Sequence, residues 1–190
     1  RYIAVTGVQT CALPICFISR TPIYAIWDDH DFGKNDSWGT PSLNDPEWKI
    51  PVWKTYQNNW NNPYFGGGKD NPGVWFDFSI GDVDFFMLDG RYYRTSPLAE
   101  NPDMLGEIQL EWLFEQLKGS DATFKIIASP VPWSFGVKDG MQKVYGPSGT
   151  VKPHETAEGK EVPRSSDTWE GYAGQREKIF SFIEENKIEG

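Results

Sequence analysis

The residues best suited to chemistry stand together in Trp27-Asp28-Asp29-His30-Asp31, followed by Asn35-Asp36. Asp28, Asp29 and Asp31 put three carboxylates into four residues around one histidine. Held in a cleft, such carboxylates raise one another's pKa unless a cation balances them. A divalent or trivalent metal is the simplest balance, because carboxylate oxygen and imidazole nitrogen are standard ligands. His30 has two readings, as a ligand or as a proton donor to a leaving group. A solvated acidic turn without metal is the plainer alternative. A second polar cluster, Asp89-Gly90-Arg91-Tyr92-Tyr93-Arg94, closes another apolar run. There Arg91 offers a planar fork for a phosphate oxygen, or else an ion pair with Asp89 or a surface loop.

Both clusters need strands to deliver them. Thr21 to Trp27 is apolar, rich in β-formers and entered through Pro22, so it reads as a buried strand ending at the acidic cluster. In open α/β sheets ligands bind at such strand ends. From Val74 to Leu88, apolar and polar residues alternate about Gly81-Asp82, the pattern of an antiparallel hairpin. Its second strand, Val83 to Leu88, is apolar on both faces and so belongs inside a sheet.

Helices read from Ile50 to Trp60, with Val52, Trp53, Tyr56 and Trp60 on one face, and from Leu105 to Lys118. The buried stripe of the latter is Leu105, Ile108, Trp112, Leu113 and Leu117, with Gly119 as its cap. Phe124 to Ser129 reads as a further strand. Residues 135–166 read as a long loop, of the kind that is a lid, a binding loop or disordered, and His154 within it reads as merely exposed. Asp167 to Tyr172 opens a last helix that continues through Arg176, Ile179, Phe180 and Ile183. Strands and helices in this order give an α/β layered fold with a mixed sheet.

Composition narrows the function. A formal charge of −9 argues against a nucleic-acid-binding surface. Phosphate esters stay admissible, since bound metals invert the local field. No apolar run is long enough to cross a membrane. The two cysteines, Cys11 and Cys16, make neither a disulfide framework nor a zinc-site spacing. Nine tryptophans raise the possibility of a sugar-stacking module, but Trp53, Trp60, Trp75 and Trp112 fall at core-compatible positions. Val5 to Ile15 resembles the translation of a sequencing-adapter oligonucleotide, so residues 1–16 are set apart as a non-native segment, as a tag would be.

The remaining pieces, in their order and spacing, resemble the PhoD-like alkaline phosphatases, a branch of the calcineurin-like metallophosphoesterases. They are Trp27 to Asp31, Asn35-Asp36, Asn62-Pro63 and Met87 to Arg94. Leu105-Gly106 with Gln109 to Leu113, Ser120 to Lys125, and Trp169 to Tyr172 with Arg176 complete the set. The resemblance spans roughly Thr21 to Gly190 and marks residues 17–190 as a partial domain, truncated at both ends. It implies a fragment of a four-layer α/β/β/α sandwich with a mixed sheet and hydrolysis of phosphate mono- or diesters by a metal-activated water. It also implies a metal cluster of iron and/or calcium, a small phosphate ester as substrate, and a periplasmic or secreted location. The acidic segment is similar to the superfamily's Gly-Asn-His-Asp/Glu motif. On that alignment Asp29 is a metal ligand and His30 contacts the phosphate and assists the leaving group. Asp28 and Asn35 are further metal-site candidates, and Arg91 is a candidate phosphate clamp. The family's early and late metal motifs are absent, so the chain by itself is expected to be inactive. A degenerate domain that kept the fold and lost the chemistry is the remaining alternative.

Overall fold

A computed structural model describes residues 19–97, 99–133 and 167–190, and the backbone of 144–145 and 151–152. The adapter-like segment, most of the long loop and His154 lie outside the described residues. The elements are a single turn α1 (Asp29–Phe32), α2 (Lys49–Asn59), β1 (Phe76–Ile80), β2 (Val83–Met87) and α3 (Glu107–Gly119). After them come β3 (Phe124–Ala128), the two-residue strands β4 (Val144–Tyr145) and β5 (Val151–Lys152), a 3-10 turn (Trp169–Tyr172) and α4 (Ala173–Glu185).

The main sheet is mixed, with strand order β1-β2-β3. β1 and β2 form the expected hairpin, with Phe78 opposite Phe85 and Ile80 opposite Val83. β3 runs parallel to β2, with Phe85 beside Ile126. β2 is therefore the central strand, which explains why it is apolar on both faces. Alternation places Phe86 and Ile127 on one face, where they meet Leu113 and Leu117 of α3 and Ile179 of α4. The opposite face carries Phe78, Ile80, Val83, Phe85, Phe124 and Ile126. Much of it stays open, with Ile80 at 63% and Phe124 at 59% exposure.

Among the described residues, the hydrophobic side chains divide into two cores. One, largely aliphatic, contains Phe86, Leu88, Met104, Leu105, Leu113, Leu117 and Ile179, closed by Trp169 and Tyr172. The other is aromatic: Trp27, Phe32, Trp53, Tyr56, Trp75, Tyr92 and Tyr93 with Val74. Each large apolar side chain so buried contributes about 1.5–3 kcal/mol. Gly106 precedes α3 at a φ of +76°, with Tyr93 Cβ only 2.7 Å from where its own Cβ would stand. That close approach lets the two cores abut.

Four expectations need correction. Residues 22–28 pair with no strand among the described residues. A side chain pairs this segment instead: Ala25 N–H donates to Asn62 Oδ1 (3.0 Å), and Asn62 Nδ2 donates to the Ala25 carbonyl (2.7 Å). The primary amide thus supplies both halves of a ladder rung to Ala25. Ile108 is 44% exposed, and Gln109 takes the buried place because its amide is needed inside. Trp60 is 38% exposed, because the helix has already ended and its backbone turns extended there. Gly119 is the last helical residue and Ser120 the cap.

Candidate functional site

The acidic segment, the turn after β2 and the start of the 3-10 turn converge on one charged cluster. Trp27 is fully buried against Phe32, Tyr56 and Tyr92, with ring centroids 5.1, 5.2 and 6.1 Å away. It anchors the chain just before the carboxylates. Asp28 N–H then donates to Asp31 Oδ2 (3.1 Å) and closes the short turn α1. Phe32, the apolar residue of that turn, points back into the aromatic core.

Asp29 faces inward. Its Oδ1 accepts from His30 N–H and its Oδ2 from Asp36 N–H, both at 2.8 Å. The second bond folds residues 29–36 into a loop that brings the Asp36 side chain beside Asp29. A carboxylate oxygen from each of Asp29, Asp36 and Asp167 lies within 4.8 Å of the others. Asp36 is 8% exposed and has φ of +53°. Burial raises its pKa, and the nearby Asp167 and Asp29 carboxylates add to the rise. Carboxylates this close repel unless protons or a cation intervene. All-oxygen donors of this kind suit a hard cation, so the group fits a metal by its chemistry.

Arg91 and Arg94 border the acids and are both fully buried. Arg91 Nε donates to Asp28 Oδ1 (3.1 Å), and its Nη2 reaches the same oxygen. Nη1 donates to the Ser37 carbonyl (3.0 Å), and Nη2 also to Asp167 Oδ2 (3.1 Å). Burial alone would lower the Arg91 pKa, but the Asp167 and Asp28 carboxylates more than offset it and hold the guanidinium charged. Arg94 donates from Nη1 to Asp167 Oδ1 (2.7 Å) and from Nε to the Tyr172 hydroxyl (2.8 Å). Burial pushes the Asp167 carboxyl up; the two guanidiniums overcome that and hold it below the usual range.

The geometry sorts the residues singled out by sequence. Asp29 sits in the carboxylate group. Asp28 is instead the partner of Arg91. The side chain of His30 is 75% exposed, with Nε2 3.3 Å from Asn35 Oδ1 and 4.0 Å from Asp29 Oδ2. His30 and Asn35 thus form an outer pair facing solvent at the rim of the acids. Arg91 lies neither in a surface loop nor against the Asp89 carboxylate as a side-chain partner. The Asp89 oxygen takes its backbone N–H, and the guanidinium turns to Asp28 and Asp167. The sequence reading missed Asp36 and Asp167 as site residues. Asp36 directly follows Asn35, so the tight Asn-Asp loop was a usable signal. Asp167 joins Arg91 across 76 positions, and no local pattern reports such a contact.

A sequence model described as PhoD-like phosphatase matches residues 16–190. Alkaline phosphatase D of Bacillus subtilis (strain 168) is 27% identical over 128 residues. That alignment takes in 58% of this chain and 18% of the relative, so the chain spans under a fifth of the protein it matches. A solved structure of PhoD superposes with a TM-score of 0.53 at 22% identity, covering 84% of this chain and 31% of that one. At that identity the likeness speaks for the fold.

Proposed function

The chain belongs to the PhoD-like phosphatase family, and on that premise we propose that it is part of a metal-dependent hydrolase of phosphate esters. The single observation that carries the site reading is the Asp29–Asp36–Asp167 group, three oxygens within 4.8 Å with two buried guanidiniums alongside. Asp29, Asp36 and Asp167 would hold a hard cation, with calcium or iron as the family resemblance suggests. Such a cation supplies Lewis acidity at a phosphoryl oxygen and lowers the pKa of attacking water. His30, at the solvent edge, would give a proton to a leaving group. Asn35, within reach of its Nε2, orients the ring. Asp28 holds Arg91 in place. Arg91 then acts on a phosphate chiefly through its field, because its N–H groups are already occupied.

Residues 17–190 are proposed as a portion of a larger domain and residues 1–16 as foreign to it. The open apolar sheet face, with Ile80, Phe124 and Ile126 exposed, is proposed to meet a second sheet in a four-layer sandwich. Export from the cytoplasm belongs to the same proposal, to be read by cell fractionation. Among the described residues no helix is long and apolar enough to cross a membrane.

The test is hydrolysis of a chromogenic phosphate monoester and a diester by the complete reading frame without residues 1–16. Turnover that a chelator abolishes and that falls on the order of a hundredfold in His30→Ala supports the reading. A folded, metal-loaded protein that hydrolyses neither ester overturns it. The 190-residue chain alone is expected to show no turnover.

A further inference from the structure

We propose that Asp89 is a positioning residue whose buried carboxylate sets the Asp28–Arg91–Asp167 frame around the candidate cation site. The proposal rests on the cation reading for its consequence but on hydrogen bonds for its geometry.

Asp89 is 1% exposed. Its Oδ1 accepts from Trp27 Nε1 (2.7 Å), Arg91 N (2.8 Å) and Tyr92 N (3.0 Å), and its Oδ2 from Val74 N (2.9 Å). Its own backbone is clasped by Gln109, whose Oε1 accepts from Asp89 N and whose Nε2 donates to the Asp89 carbonyl, both at 2.8 Å. One residue therefore joins the acidic segment, the approach to β1, the turn after β2 and α3. Two of these links matter for the site. Trp27 immediately precedes Asp28, and Arg91 follows Asp89 by two residues. The two partners of the Asp28–Arg91 pair are thus both fixed from the same carboxylate, one through an indole and one through a peptide.

The chemistry calls for a carboxylate and not merely a polar side chain. All four partners are N–H donors. An amide would turn its own NH2 toward one of them, and a hydroxyl would be too short to reach all four. Burial holds the Asp89 carboxyl above the usual carboxylate range, and the N–H bonds, beginning with that from Trp27, offset only part of the rise. Gly73 preserves the approach: a Cβ there would lie 2.1 Å from the Trp75 ring and 3.2 Å from Asp89 Oδ2.

The test compares Asp89→Asn with Leu113→Ala, a core truncation in the aliphatic cluster, in the full-length protein. Binding of terbium is followed by tryptophan-sensitised luminescence, beside the melting temperature of each variant. Asp89→Asn is expected to weaken terbium binding roughly 10- to 100-fold, the range for residues that orient metal ligands. Leu113→Ala should leave it within about twofold at a comparable melting temperature. Trp27→Phe, which deletes the same bond from its other end, should weaken binding too, and the double variant should lose little more than Asp89→Asn alone. Unchanged binding in Asp89→Asn, or an equal loss in Leu113→Ala, overturns the proposal. Wild-type protein that binds no terbium counts against the cation reading, and hydrogen exchange then decides the positioning role. Faster exchange in 24–32 and 89–95 with 107–119 unaltered upholds it, whereas uniform change or none refutes it.

Discussion

The two cores of this protein do different work. In the aliphatic core, Leu105, Leu113, Leu117 and Ile179 hold α3 and α4 on the sheet through volume and apolar area. In the aromatic core the rings also carry polar handles, and charged groups are buried among them. Trp27 and Trp53 donate from their indoles to Asp89 Oδ1 and the Gly73 carbonyl, each at 2.7 Å. Lys49 is fully buried, donates to the carbonyls of Thr40 and Ser42, and lies 4.2 Å from the centroid of Tyr92. The acidic segment and Arg91 grow from the aromatic core, while Asp167 enters beside Trp169 and Tyr172 of the aliphatic one. An apolar contact tolerates repacking, while a hydrogen-bonded indole or carboxylate has one acceptable place. That difference suits the first core to cohesion and the second to placing chemistry.

The largest effect should come from breaking the charged frame. Arg91→Ala would leave Asp28 and Asp167 without their shared cation next to two more carboxylates. Removing one member of a fully buried ion pair costs about 3–5 kcal/mol. The Asp28 side chain is 48% and that of Asp167 24% exposed, so urea unfolding should find a loss toward the lower end of that range, restored in part at acid pH, where the freed carboxylates take up protons. A loss below about 1 kcal/mol would mean that the frame is solvated. In the aliphatic core, Leu113→Ala should cost about 2–4 kcal/mol. That loss should be independent of pH, because no titratable group depends on the side chain. A marked pH dependence would show that the cores are not separable, with Trp112, which packs against both, as the bridge.

The same contrast governs what the sequence made legible. The aliphatic core follows from periodicity: the β1–β2 hairpin, the central place of β2, and α3 with its Leu113 and Leu117 stripe were all readable. The sequence marks only the local pieces of the candidate cluster, Asp28-Asp29-His30 and Arg91. The cluster was not readable where it depends on distant partners. Nothing near Asp167 announces two arginines more than 70 residues earlier. Nothing near Asp89 announces the Trp27 indole. Ile108 looked buried because periodicity counts hydrophobicity, but Gln109 holds the inner place through bonds to Asp89. Lys49 would ordinarily be assigned to the surface, and the carbonyls of Thr40 and Ser42 together with the Tyr92 ring make its burial tolerable.

Lys49 gives the comparison a pH signature. Burial lowers its pKa from 10.5 to about 8. Between these values the unfolded chain binds a proton that the folded chain does not, so stability should rise as pH climbs from about 8 toward 10. The tyrosines act in the opposite sense: burial raises the pKa values of Tyr56, Tyr92 and Tyr93 above 10. Above pH 10 the unfolded phenols ionise first, and stability falls. A maximum near pH 10 is expected, with a rise of about 1–2 kcal/mol from pH 8, reduced for solvent screening. Lys49→Met should flatten the rise and leave the fall. A monotonic decline above pH 8 in the wild type would show that Lys49 stays charged through that range.

The smallest effect asks whether every polar handle of the aromatic core matters. The Tyr93 hydroxyl is buried and has no hydrogen-bond partner among the described residues. Its ring packs against Trp75 and Tyr92, with centroids 6.0 and 5.0 Å away, and lies 5.5 Å from Lys49 Nζ. Phenylalanine keeps all of these contacts and removes a polar group that gained nothing from burial. Tyr93→Phe should therefore be neutral within about 0.5 kcal/mol, or slightly stabilising. Trp53→Phe, which strands the Gly73 carbonyl without its indole donor, should cost about 1–3 kcal/mol beyond any packing loss. Equal costs for the two, measured by urea unfolding, would show that ring volume alone holds this core. A clear gap between them would locate its specificity in the indole and carboxylate bonds that also place Asp28 and Arg91.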